Sequence, residues 1–354
     1  MSPSDPIRVA VVGFGLGGQV FHAPLVAAVP EMRVASIVTS DPGRVGTAKA
    51  RYPDARVLPT VEALWEAAGD HDLVVVTTPN RFHVPISLAA IDAGLHVVVD
   101  KPLAPTAEEA RRAVSAAAEA GLVITVFQNR RLDGDFLTVR KLIDDGALGR
   151  VVRFESRFER WRPQVDAGGW RELAAPEEGG GVLLDLGAHL VDQAVQLFGR
   201  PTHVYAEVER RRAGAEVDDD AFVALTHADG VRSHLWMSLI AGSLGPRFRV
   251  HGVEGAFEKD GLDPQEDQLG SGMAPSQDAY GVEPRDRWGR LVRGEDREQV
   301  PTEPGVYQRF YAGVAAAIRD GAAPPVDPQD AVGTLEILES ASVSAATGEV
   351  VRIS

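Results

Sequence analysis

The hydrophobic pattern of the chain changes near residue 128. Before it, compact apolar runs, IRVAVV (7–12), MRVASIV (32–38), LVVVTTP (73–79), LHVVVD (95–100) and LVITVFQ (122–128), alternate with segments whose apolar residues recur at helical spacing, VEALWEAAG, ISLAAIDAG and AEEARRAVSAAAEAG. Runs that are apolar at nearly every position suit strands buried on both faces. Their alternation with helices predicts a parallel, doubly wound sheet. After residue 128 the periods differ. RRLDGDFLTVRKLIDDGALG (130–149) predicts one helix closed by glycine, and VVRFESRFER, THVYAEVERR, AFVALTHADG and RSHLWMSLIAG read as a largely antiparallel sheet. The chain is therefore read as α/β in two parts, a nucleotide-binding domain over 1–128 and an α+β domain over 129–354 with a large, open, mainly antiparallel sheet. A length of 354 residues also suits two cores better than one.

The first strand runs directly into GFGLGG, and QVFHAPLVAAV after it has helical spacing. Gly13, Gly15 and Gly18 fit G-x-G-x-x-G in the strand–turn–helix order that a dinucleotide site of the Rossmann type requires. Gly13 permits the turn, Gly15 admits a pyrophosphate, and Gly18 lets helix and strand approach. Phe14 and Leu16 complete the phosphate-facing loop. The 2'-position is read at the end of the second strand, where Thr39 and Ser40 are followed by Asp41 and Arg44. Small hydroxyls and an arginine suit a 2'-phosphate, so NADP is favoured over NAD, with Asp41 turning inward as the alternative. TTPN (77–80) and DKP (100–102) lie at carboxyl ends of strands, which places Lys101 at the cofactor cleft.

GGGVLLDLGAHLVDQAVQLFG (179–199) reads as one helix, on which Asp185, His189 and Asp192 sit at i, i+4 and i+7. A carboxylate one turn from an imidazole suits a general base, and a structural pair is the competing reading for both groups. Asp192 is read as structural or supporting. Two carboxylates and one histidine on a helix face seldom complete a zinc shell, so no metal is expected.

Composition narrows the partners. With 36 basic and 51 acidic residues the net charge is -15, which disfavours nucleic acid and anionic membranes. There is no cysteine, and neither a signal peptide nor a membrane-spanning run is read, so a cytoplasmic location is expected.

GFGLGG with FHAPL, TTPNRFH, DKPLA and GGGVLLDLGAH resembles the glucose-fructose oxidoreductase, inositol dehydrogenase and MocA-like (Gfo/Idh/MocA) family of NAD(P)-dependent sugar and polyol dehydrogenases along the whole chain. FHAPL, FQNRRLDGDFLTVRKL, WRPQVDAGGWRE and LVDQAVQLFG are most similar to its NADP-dependent scyllo-inositol dehydrogenase branch. The family's Glu-Lys-Pro stands here as Asp100-Lys101-Pro102. The resemblance implies that Lys101 reaches the reacting hydroxyl, where a cation stabilises the developing alkoxide, while His189 takes the proton and Asp185 orients one or both. It also implies that Thr78, Pro79, Asn80 and His83 form a cofactor segment, with helix capping as the alternative for His83. Gln128, Asn129 and Arg130 fall at the domain junction. Arg160, Trp161, Trp170 and Arg171 precede the helix of His189 and are read as contacts to polyol hydroxyls or cofactor phosphate, or as interface anchors.

Tyr307 and Tyr311 open a late helix and are read chiefly as core. Residues 261–305, dense in Gly, Pro and charge, are read as a long surface excursion, and the DDD run at 218–220 as a solvated loop or strand start. DPQDAVGTLEILESASVSAATGEVV is read as an amphipathic closing helix. The antiparallel sheet would keep one face for its helices and the other for a second subunit, in a homodimer or homotetramer. The functional expectation is transfer of hydride between nicotinamide and a secondary alcohol or ketone of a cyclic polyol or sugar. Its alternatives are a non-catalytic dinucleotide sensor, and hydrolysis or elimination on a sugar through transient oxidation.

Overall fold

The computed structural model describes residues 5–165 and 179–353. Six parallel strands form the first sheet: β1 (Ile7–Val12), β2 (Met32–Val38), β3 (Arg56–Leu58), β4 (Leu73–Val76), β5 (His96–Asp100) and β6 (Ile124–Phe127), in the order β3-β2-β1-β4-β5-β6. The order reverses between β1 and β4, and the crevice there opens beyond the carboxyl ends of the strands. Every residue of β4 and β6 is buried, as expected of strands with helices on both faces. The segment after the glycine turn begins as a π-helix, Gly17–His22, and continues as Ala23–Ala27. Pro24, which has no amide hydrogen for the carbonyl one turn back, lies just past the change of winding.

Among the described residues the second sheet has nine strands: β7 (Val151–Glu159), β8 (Pro201–Glu209), β9 (Asp220–His227), β10 (Arg232–Ser238), β11 (Phe248–Gly252), β12 (Ala256–Lys259), β13 (Gly289–Arg293), β14 (Asp296–Val300) and β15 (Val351–Arg352). Their order is β14-β13-β12-β11-β7-β10-β9-β8-β15. All neighbours are antiparallel except β7 and β10. Burial alternates strictly along β9, so one face packs on helices and the other does not.

Three sequence readings are revised. The helix expected over 130–149 is a 3-10 turn, Asn129–Leu132, followed by a helix Gly134–Asp144. The break is enforced by neighbours, because a Cβ on Gly134 would lie 2.1 Å from the Glu303 carbonyl oxygen and the Gly134 amide donates to Asp263 at 2.7 Å. The helix expected over 179–199 divides at Leu186 into Val182–Asp185 and Gly187–Phe198. Residues 261–305 are also more than a surface excursion. They supply β13, β14 and a helix Gln265–Gly270, while Leu269 and Tyr280 are buried against the first sheet.

Two late helices, Gln308–Asp320 and Pro328–Thr347, fasten the two sheets together. Tyr307, Phe310, Tyr311, Val332 and Leu335 join the core of the first sheet, whereas Ile337, Leu338 and Ala341 join that of the second. Asp327 caps the longer helix through the Gln329 amide; the closing helix read from sequence is present, but it buries residues around much of its circumference and lacks the single apolar stripe of an amphipathic helix. Among the described residues no helix is long and apolar enough to cross a membrane.

Candidate active site

The glycine turn has the shape that a pyrophosphate needs. Gly13 has φ +92°, and a Cβ there would sit 2.9 Å from the Thr77 carbonyl oxygen. A Cβ on Gly18 would lie 2.4 Å from the Gly13 carbonyl oxygen. The same atom on Gly15 would meet nothing nearer than the Arg44 guanidinium at 3.9 Å. Gly13 and Gly18 are therefore closed against protein, and Gly15 faces open space beneath an arginine. Thr77 Oγ1 donates to the Gly13 carbonyl at 2.8 Å and ties β4 to the turn.

At the tip of β2, Thr39 is buried and Ser40 is exposed. Asp41 stands at the start of the next helix. Its side chain accepts from the Arg44 amide at 2.8 Å and caps the helix Pro42–Arg51, while the Arg44 guanidinium swings back over Gly15. The tip of β2 thus presents the Thr39 and Ser40 hydroxyls, a carboxylate engaged as a helix cap and the Arg44 cation.

The rest of the expected cofactor segment divides by contact. Pro79 precedes a 3-10 turn, Asn80–Phe82. Asn80 is buried, and its side-chain amide donates to the Gly179 carbonyl at 2.9 Å, which joins the first domain to the loop ahead of Val182. His83 is wholly buried, with its ring nitrogens 2.8 Å from the carbonyl oxygens of Pro102 and Thr78. Its ring therefore holds the β4 and β5 loops together. Burial pulls its pKa below the ordinary histidine value. Buried Thr78 Oγ1 and Gln128 Oε1 have no hydrogen-bond partner among the described residues, so each retains a polar valence for a ligand.

Lys101 crosses between the domains. Its Nζ donates to the Asp185 carbonyl oxygen at 2.6 Å and lies 2.5 Å from Asp185 Oδ1. Asp100 beneath it accepts from the Lys101 amide at 2.8 Å and faces His22 Nε2 at 3.7 Å. Burial pushes the Asp100 carboxyl up, but His22 and the Lys101 charge outweigh it and bring its pKa to about 2. His22, from FHAPL, is fully buried and has Nδ1 2.6 Å from the Tyr311 hydroxyl. The consistent arrangement has Tyr311 donating to Nδ1 while Nε2–H points at Asp100. Tyr311 is thus core, as read, and also supports the loop that carries Lys101.

His189 lies in the same cavity as Lys101 and Asp185. It is buried, and its Nδ1 has no hydrogen-bond partner among the described residues. Burial lowers its pKa well below the ordinary value, and the charges of Lys101, Arg130, Arg247 and Arg160 lower it further. The imidazole is therefore neutral and free to accept a proton. Asp192 is directed elsewhere and bonds Arg131 through both carboxylate oxygens at 2.8 and 2.5 Å, consistent with a structural role.

The cavity has a volume of about 350 Å³. Leu16, Gly17, Asp100 and Lys101 bring one wall from the first domain; Arg160, Asp185, His189 and Asp218 bring the other. Arg130 lines it between Glu266 and the Tyr307 hydroxyl, whose own proton goes to Asp133 at 2.5 Å. Trp170 and Arg171 lie outside the described residues. Trp161 is exposed and bridges to Ile240 beside the cavity.

Sequence reasoning missed Glu266, Asp218 and Arg212 on this wall. The DDD run is not a solvated loop: Asp218 accepts from the Leu183 amide at 2.7 Å, and fully buried Asp219 binds the Arg212 guanidinium. Its position at the start of β9 was the available signal. Glu266 had none, since it reaches the cavity only through the fold of 261–305. Among the described residues no cluster of three or more metal-ligating side chains occurs.

A glycine turn at the reversal point of a parallel sheet, facing a lysine and a neutral histidine from opposite domains, defines a dinucleotide-dependent oxidoreductase. The comparisons agree. The oxidoreductase family's NAD-binding Rossmann fold matches residues 7–128, and its C-terminal alpha/beta domain matches residues 140–353. The chain belongs to this Gfo/Idh/MocA family of NAD(P)-dependent oxidoreductases. It is 38% identical to scyllo-inositol 2-dehydrogenase (NADP(+)) IolW of Bacillus subtilis over 96% of this chain and 94% of that protein. It is 40% identical to the uncharacterized oxidoreductase YdgJ of Escherichia coli over 95% of each. The crystal structure of the Bacillus subtilis oxidoreductase yvaA superposes with a TM-score of 0.93 at 36% identity, covering all of both chains.

Proposed function

We propose that this NAD(P)-dependent oxidoreductase is an NADP-linked dehydrogenase that interconverts a secondary alcohol and a ketone on a cyclic polyol or sugar. One observation carries the reading: Lys101 Nζ, on the nucleotide-binding domain, meets Asp185 of the other domain in a cavity that also holds His189. The bound nicotinamide supplies the acceptor for the hydrogen leaving carbon. The protein moves the other proton. His189 accepts it from the substrate hydroxyl, Lys101 stabilises the oxyanion, and Asp185 keeps the ammonium group aimed. Capping by Asp41 and the position of Arg44 over Gly15 favour a 2'-phosphate over a free ribose hydroxyl. The inositol-type substrate is supported by the name of the Bacillus subtilis relative. A second copy of the chain is proposed to cover the outer face of the nine-stranded sheet, where Phe222, His234 and Trp236 meet edge to face or tilted and the Arg157 guanidinium lies 3.9 Å from the Trp236 ring centroid.

Following reduced nicotinamide over a panel of inositols and aldoses tests the reading. Net NADPH formation supports it. Product formed without net NADPH would replace it with transient oxidation, and binding without turnover would replace it with a sensor.

A further inference from the structure

The cavity carries more positive charge than this chemistry uses. Lys101, Arg130, Arg160, Arg162 and Arg212 all line it. Three of the five have fixed partners: Lys101 holds Asp185, Arg130 holds Glu266, and Arg212 holds Asp219 and the carbonyl oxygens of Arg162 and Gln164. The lining carboxylates are committed too. Asp100 receives the Lys101 amide, Asp218 receives the Leu183 amide, and Asp185 and Glu266 are those already paired.

Arg160 and Arg162 are left over. Their backbones are anchored past the end of β7, with amides donating to Ser238 and Leu239 at 2.8 and 2.7 Å. Among the described residues neither guanidinium forms an ion pair. Arg160 is largely enclosed, and burial followed by the neighbouring charge of Arg162 weakens its hold on its proton. Glu266 and Asp185 offset part of this at a distance, but both are already paired with other cations. Two adjacent cations, one of them enclosed and without an ion-pair partner among the described residues, are better stabilised when an anion joins them. They stand on the wall opposite the glycine turn, close enough to His189 for Arg160 to depress its basicity.

We propose that the pocket takes a polyol or sugar bearing an anionic substituent, a carboxylate or a phosphate monoester. Arg160 and Arg162 hold that group while the hydroxyl to be oxidised faces Lys101 and His189. Guanidinium groups suit this task because their planar donors match both oxyanions in pairs. The inference rests on the dehydrogenase reading for the fate of the hydroxyl, and not for the binding itself. The cofactor's own phosphates are the other source of the same chemistry, and the test separates the two.

Calorimetric titration of the NADPH-loaded protein compares D-glucuronate with D-glucose, and myo-inositol 1-phosphate with myo-inositol. At least one acidic member should bind tighter than its neutral partner by roughly tenfold or more, the size of one charged hydrogen bond. Arg160→Gln should abolish that preference and Arg160→Lys should restore part of it, which separates lost charge from lost folding. NADPH titration into the substrate-free Arg160→Gln protein should give the wild-type affinity. Equal binding of acidic and neutral partners overturns the proposal, as does a loss confined to the cofactor titration. Selective binding of the acid with oxidation of neither member supports the anion site and overturns the dehydrogenase reading instead.

Discussion

Burial and four neighbouring cations hold the His189 imidazole neutral, and the first predictions follow from that state. A base works in its unprotonated form, so a lowered pKa extends its activity towards acid. Alcohol oxidation should remain on its kcat/KM plateau at about pH 6.5, where an unperturbed histidine is half protonated. An acid limb centred there or higher would contradict the assignment. His189→Ala should lower kcat by roughly 10²–10⁴-fold, the usual worth of a positioned acid or base. Cofactor affinity, read by NADPH fluorescence, should change little, and an equal loss in both would make the residue structural. Lys101, Asp185 and His189 were legible because each stands at a marked local position, a strand end or one turn along a helix. Glu266, Asp218 and Arg212 were not, because their places depend on contacts between distant segments. The role of His22 was equally hidden, since Tyr311 lies 289 positions away.

Among the elements, the glycine turn and the tip of β2 carry cofactor binding. Arg44→Ala should weaken NADPH binding by roughly tenfold or more, as expected for a lost charged hydrogen bond, and leave NADH binding nearly unchanged. Parallel fluorescence titrations read both, and equal losses would place the 2'-phosphate elsewhere. Gly18→Ala would drive a methyl group into the Gly13 carbonyl and should cost about 1–3 kcal/mol of stability, read by denaturant unfolding. Wild-type stability in that variant would mean that the turn relaxes freely. Strands of the first sheet were legible because burial on both faces leaves them apolar throughout. The breaks at Asp133 and Leu186 were not, since helical periodicity continues across them. Strands β13 and β14 are short, and β14 exposes most of its residues, so they carry little apolar signal.

For the whole molecule, both sheets meet at one cleft, and the helices Gln308–Asp320 and Pro328–Thr347 pack behind it. The change of period near residue 128 revealed two architectures. It gave no sign that the chain returns to the first sheet, because the helix Pro328–Thr347 buries residues around much of its circumference and shows no single apolar stripe. Analytical ultracentrifugation should find a dimer or tetramer, and Trp236→Arg should shift it towards the monomer; a monomeric wild type would leave the outer sheet face without the proposed partner. The meeting of Lys101 and His189 over one substrate carbon is put to the test by NADPH formation from NADP⁺ across neutral and acidic inositols and aldoses. Steady formation by the wild type with at least one member is expected, and a fall of roughly a hundredfold or more in Lys101→Met with cofactor binding retained. Turnover by Lys101→Met equal to that of the wild type, or no NADPH from any member, would contradict it.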